Sequence, residues 1–140
     1  MTSLELLEIE KELDIILPEY YRRFQIAYPQ QLIELKFNEE YFSNDPKWLT
    51  EINSMIRSNV LFKDFFCIGM NGGGDSYFIK TNGYQELVYL MDHEEASEID
   101  ENELTWEKVL KIEHSNLNEF KDWLIASWGD YFVRFYEKND

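Results

Sequence analysis

The chain is short of cysteine, histidine, proline, glycine and positive charge. Its 140 residues hold one Cys, three Pro, six Gly, two His and 13 Lys+Arg against 28 Asp+Glu. Each shortage excludes something. Cys67 alone can form no intramolecular disulfide, and no His/Cys cluster has zinc spacing, so nothing points to an oxidising compartment or a zinc centre. With so few Pro and Gly there is no linker, repeat or low-complexity tract, and residues 1–140 read as one domain. A net charge of −15 argues against direct nucleic-acid or anionic-membrane binding. No stretch approaches the roughly 20 apolar residues of a membrane span. The acidic start Met1-Thr2-Ser3-Leu4-Glu5 lacks the basic flank of a secretion signal, so the expected location is the cytoplasm.

Apolar material is plentiful, at 44% hydrophobic and 16% aromatic residues, enough for a packed core. Thr2 and Glu5 can form a capping box, after which Leu6, Ile9, Leu13 and Ile16 recur at helical spacing. Leu17-Pro18 starts a second helix running through Tyr21, Phe24 and Tyr28 to Pro29. Ile33, Leu35 and Phe37 alternate with polar residues and predict a strand. Asp45-Pro46 predicts a helix through Trp48, Ile52 and Met55 or Ile56. Phe65-Phe66-Cys67-Ile68 reads as a central strand, and 75–80 and 87–91 as strands joined around Thr81-Asn82-Gly83. A last helix runs from Ser115 or Asn116 through Leu124 and ends near Gly129, with 131–136 either a closing strand or a helical tail. The pattern predicts an α+β domain, an antiparallel β-meander with N-terminal and C-terminal helices packed on one side.

Catalytic constellations are thin. The loop Gly69-Met70-Asn71-Gly72-Gly73-Gly74-Asp75 is glycine-rich, but no Gly-Lys-Ser/Thr follows, it leads into a strand, and Asp75 puts a carboxylate where a phosphate would sit. Its expected role is a tight connection with glycines at positive φ. His93 beside Glu94 and His114 beside Ser115 read as surface or loop histidines, not general bases. The EF-hand spacing is missing. The expectation is therefore no enzyme, no cofactor and no metal.

The positive signal is charge segregation. Between Thr81 and Glu107 there is no Lys or Arg, while Glu86, Asp92, Glu94, Glu95, Glu98, Asp100, Glu101, Glu103 and Glu107 supply nine acids. Leu104 and Trp106 close the run as apolar anchors of the kind found in interfaces. The candidate partner-binding residues are Asp75, Tyr77, Tyr84, Asp92, His93, Glu94, Glu95, Glu98, Asp100, Glu101, Glu103 and Trp106. Their expected partner is a protein with a basic surface, the oligomeric state being open.

The order of motifs resembles the SUKH superfamily, which includes bacterial immunity proteins and a yeast cell-wall-assembly regulator. The resemblance rests on an acidic amphipathic helix, Leu17-Pro18-x-x-Tyr21-x-x-Phe24, Phe66-x-Ile68-Gly69, and Gly73-Gly74-Asp75 before a strand. It continues with Val88, Met91 and His93 and closes on a terminal helix from Ser115 to Leu124. The chain departs from the pattern at Tyr28-Pro29-Gln30-Gln31, where an Asn-Gly-Gly-type turn is frequent, and at Asn116-Leu117, where an aromatic is usual. The resemblance implies a non-enzymatic α+β domain that neutralises a cognate polymorphic toxin, often a nuclease or deaminase, by binding it. A regulatory scaffold for a cellular partner is the first alternative. A small-ligand domain using the Gly69–Asp75 loop is the second.

Overall fold

A computed structural model of the chain describes residues 1–57, 62–83, 85–103 and 105–139, the backbone alone at residue 101 and from residue 129 onward. Tyr84, one of the candidate partner-binding residues, and Leu104, which closes the acidic run, lie outside the described residues.

Local signals account for most helix starts. Thr2 and Glu5 exchange both bonds of the capping box, and α1 (Ser3–Leu13) buries Leu6 and Ile9. It stops at Asp14, whose φ of 54° lies in the left-handed region. Ile16 therefore falls beyond the helix and is 82% exposed, not on its apolar face as the spacing suggested. Pro18 caps α2 (Glu19–Ile26), which ends before Tyr28. Asp45 accepts a bond from the Lys47 amide and Pro46 opens α4 (Pro46–Ile56). Ile56 faces inward while Met55 is exposed.

The strand expected over Ile33, Leu35 and Phe37 is not one. Pro29 caps a short helix, α3 (Gln30–Glu34), and the chain then turns with Lys36 at φ 66°. The Phe37 amide bonds back to the Leu32 carbonyl, so the two fully buried residues are five apart and not on alternate positions. Three alternating apolar residues were too few to distinguish a strand from a turn that buries two of its side chains.

The sheet is an antiparallel meander in the order β1-β2-β3-β4, formed by β1 (Phe65–Met70), β2 (Ser76–Lys80), β3 (Val88–Met91) and β4 (Lys111–His114). β1 is thus at the edge, not at the centre. Its apolar run reflects burial on both faces. Phe66 and Ile68, with Tyr77, Ile79 and Val88, face a core completed by Leu6, Ile9, Tyr21 and Leu49 and by Phe120 and Leu124 of the C-terminal helix. Phe65 and Cys67, with Phe78 and Tyr89, face a second cluster containing Phe62, Val109 and Leu110, against which Ile52 and Trp106 pack. The N-terminal helices α1 and α2 and the C-terminal helix thus share one face, as the pattern predicts, and Val109 and Trp106 with Ile52 of α4 cover the other.

The outer edge of β1 is satisfied without another strand. Buried Asn53 on α4 accepts from the Cys67 amide (2.7 Å) and donates to the Cys67 carbonyl (2.9 Å). The Ser43 amide donates to Ile68 O and the Met70 amide to Glu40 O, both at 2.9 Å. A polar side chain at an otherwise apolar helix position thus takes the place of a ladder partner.

After β3 come α5 (His93–Ser97), a 3-10 turn (Glu101–Glu103) and α6 (Trp106–Val109), and then β4, which the sequence did not signal. The last helix, α7 (Leu117–Asn139), begins where Asn116 accepts from the Glu119 amide. It runs past Gly129, so 131–136 is helical. Among the described residues no helix is long and apolar enough to cross a membrane.

Candidate functional site

The loop between β1 and β2 is held shut from within. The Asn71 amide donates to Asp75 O (2.9 Å), and Asn71 Oδ1 accepts from the amides of Gly73 (2.9 Å) and Asp75 (3.1 Å). The Gly74 amide donates to Asn71 O and the Gly72 amide to the Tyr41 hydroxyl. Every amide from Gly72 to Asp75 is therefore committed inside the protein, and the loop offers no open nest for a phosphate. Of its glycines Gly74 alone has a positive φ, at 94°. Gly69, just upstream, is constrained by space: a Cβ there would lie 1.9 Å from the Tyr41 carbonyl oxygen.

This close crossing of residues 40–41 over β1 builds one wall of a cleft. Tyr41, Asn71, Gly72, Gly73, Asp75, Tyr77, Trp123 and Trp128 line about 350 Å³. Tyr77 is 3% exposed and packs on Phe120 at 4.6 Å, so it is a core residue with only an edge available. Burial pushes its phenol up to about 12, keeping it neutral. Trp128 is 43% exposed.

Asp75 joins this cleft to the acidic stretch. Its Oδ1 accepts from the His93 amide (3.1 Å) and lies 2.8 Å from His93 Nδ1. Its Oδ2 accepts from Asn71 Nδ2 at 3.2 Å. Partial burial works against ionisation of Asp75, but the bonds from His93 and Asn71 outweigh it and hold the carboxyl below its ordinary range. The same contact raises His93. Asp92 caps α5 by accepting from the amides of Glu94 (2.9 Å) and Glu95 (3.1 Å). Asp75, Asp92 and His93 each bring a ligand atom within 4.8 Å of the others, a grouping that chain spacing does not reveal. Asp75 and His93 are already bonded to each other, and Asp92 accepts both bonds of the helix cap on Oδ1.

From α5 onward the surface is acidic and open. The helix buries no residue, and Glu94, Glu95, Glu98, Asp100 and Glu103 are exposed. Glu101 is described only as backbone in the 3-10 turn. The fold also returns bases that the linear run lacked. Lys111 Nζ pairs with Glu95 and Lys108 Nζ lies 3.8 Å from Glu103. Trp106 is not an exposed anchor. It packs on Phe65 (5.4 Å) and Tyr89 (6.2 Å), with Lys80 Nζ 4.8 Å from its ring centroid.

The two remaining candidates for chemistry are inward. His114, expected on the surface, is 5% exposed and packs at a tilt against Phe120 and Trp123; desolvation lowers its pKa. Cys67 is buried, and burial pushes its thiol up to about 12, which suits neither a nucleophile nor a metal ligand.

No protein-family model matches the chain, and neither a curated protein nor a solved structure matches it significantly. The site must be judged on its own geometry.

Proposed function

We propose that this chain is an immunity-type protein that binds a cognate toxin domain with a basic surface and neutralises it by covering the active site, without catalysis of its own. One observation carries the reading. A helix with no buried residue presents Glu94, Glu95 and Glu98 to solvent, and it is joined through His93 and Asp75 to an aromatic-walled cleft. Side chains that pack against nothing contribute little to folding, so an acidic face of this kind is available for a basic partner. Nuclease clefts are basic because they hold phosphates, and an acidic surface can occupy one. The motif order that resembles SUKH immunity proteins points the same way. Glu103 and Glu95 are matched by Lys108 and Lys111, while Glu94, Glu98, Asp100 and Glu107 are among the exposed acids that keep the local field negative.

The test is kinetic, with the toxin domain encoded beside this chain in its native host. Reversing Glu94 and Glu98 to Lys should slow association about tenfold or more at low salt and flatten its salt dependence. Dissociation should change less, and the melting temperature should stay near that of the parent. Unchanged association at low salt would show the acidic face to be only a solvated surface, and failure of the parent to protect against that toxin would end the immunity reading.

A further inference from the structure

We propose that the cleft between the Asn71–Asp75 loop and α7 is a receptor for a single arginine side chain of the protein partner; this rests on the protein-binding reading above. Three aromatic side chains, Tyr41, Trp123 and Trp128, share the cleft with one carboxylate, Asp75, beside the edge of buried Tyr77, and among the described residues no Lys or Arg lines it. Aromatic faces carry negative potential and attract a cation, a guanidinium above all because it is flat, weakly hydrated and able to stack. A volume of about 350 Å³ accommodates one long side chain and not a folded segment.

Asp75 has a place for such a guest. A carboxylate offers roughly four acceptor positions. Three are used, by the His93 amide, the His93 ring and Asn71 Nδ2. The remaining one suits a donor entering the cleft. An anionic guest would meet this carboxylate and find the loop amides already engaged. A wholly apolar guest would strip water from the carboxylate and replace none of its bonds. The molecule already uses the same kind of contact elsewhere, where Lys80 lies over Trp106.

The experiment uses two capped tripeptides, Gly-Arg-Gly and its citrulline counterpart, which has nearly the same shape and no charge. Indole N–H signals of the whole chain are followed by NMR as each is added. The arginine peptide should shift the Trp123 and Trp128 signals saturably, with a dissociation constant on the order of millimolar, leaving Trp48 and Trp106 unmoved. The citrulline peptide should bind at least about tenfold more weakly. Asp75→Asn and Trp128→Leu should each weaken the arginine peptide by about tenfold, and added salt should weaken it further. Asp75→Asn disturbs the loop, so exposed Trp128→Leu is the decisive variant, checked by an unchanged melting curve. Equal shifts from both peptides, or none, would overturn the arginine receptor. If the toxin still binds and is neutralised, the immunity reading stands without it. If the arginine peptide binds as expected and no toxin does, the cleft stands and the immunity reading falls.

Discussion

The Asn71–Asp75 loop and the acidic helix α5 touch through one pair of side chains, yet they are built on opposite terms. In the loop the amides from Gly72 to Asp75 all have internal partners, Gly69 beside it has no room for a side chain, and Gly74 holds a positive φ. In α5 no residue is fully buried; the Asp92 cap and His93 hold its start, and Ala96 rests half-buried against the second core cluster. A region ordered by many contacts tolerates little substitution, whereas one held at a few points and largely solvated tolerates much. Functional constraint is therefore easier to recognise in α5, where structure asks for almost nothing.

The sharpest way to break the comparison is at Gly69. A Cβ would sit 1.9 Å from Tyr41 O and 2.5 Å from its carbonyl carbon, and the crossing is pinned by Met70 N to Glu40 O and Ser43 N to Ile68 O. Gly69→Ala should destabilise by about 3–5 kcal/mol in urea unfolding, large for a single methyl group. A loss below about 0.5 kcal/mol would mean that residues 40–41 can move away, and the cleft wall would not be set by β1.

A smaller effect separates two neighbours that the sequence treats alike. Gly74 has φ 94°, so Gly74→Val should cost about 1–3 kcal/mol. Gly73 has no positive φ, and its added Cβ would meet Asn71 Oδ1 at 3.4 Å, which is near ordinary contact. Gly73→Ala should cost less than about 1 kcal/mol. Matching melting curves for the two variants would refute the distinction.

The smallest effect lies in the link between the two regions. His93 is raised by Asp75, so its stabilising contribution is full below the ordinary histidine value of 6.5 and disappears as pH rises through the raised value. Asp75 is lowered, so its contribution is present above 3.8 and disappears as pH falls through the lowered value. The difference in stability between the parent and His93→Gln should be greatest between 3.8 and 6.5 and shrink outside that window. His114 acts in the opposite direction: its lowered pKa means that the unfolded chain gains a proton first, which erodes stability as pH falls below 6.5. His114→Gln should remove that slope while leaving the His93 window in place. A pH profile in which His93→Gln parallels the parent throughout would show that the Asp75–His93 contact carries no net energy.

Elements with local causes were legible in advance. The Thr2–Glu5 box, the Asp45-Pro46 start and the strands on either side of Thr81-Asn82-Gly83 each depend on residues a few positions apart. β4 gave no signal because Lys111, Ile112 and Glu113 are all exposed in a four-residue strand, and only His114 turns inward. The apolar run of β1 marks burial but not a central place in the sheet, since two packed faces produce the same pattern as two neighbouring strands. Of the site, Asp75, His93 and the acidic run were visible as residue types, whereas Tyr41, Trp123 and Trp128 were not singled out. Their spacing along the chain is too wide for any motif to join them.

The sequence by itself determined the class of the fold, the acidity of residues 81–107 and the need for glycine between β1 and β2, because composition, period and turn chemistry act over short range. Only the tertiary structure decided which glycine is indispensable, which acids keep their charge unmatched, and that Trp106 packs inward while Trp128 borders a cleft. Those outcomes depend on distances between residues far apart in the chain. Lys111 reaches Glu95 only after the sheet has brought β4 back beside β3, and Tyr41 meets Gly69 only where the chain crosses the edge of β1.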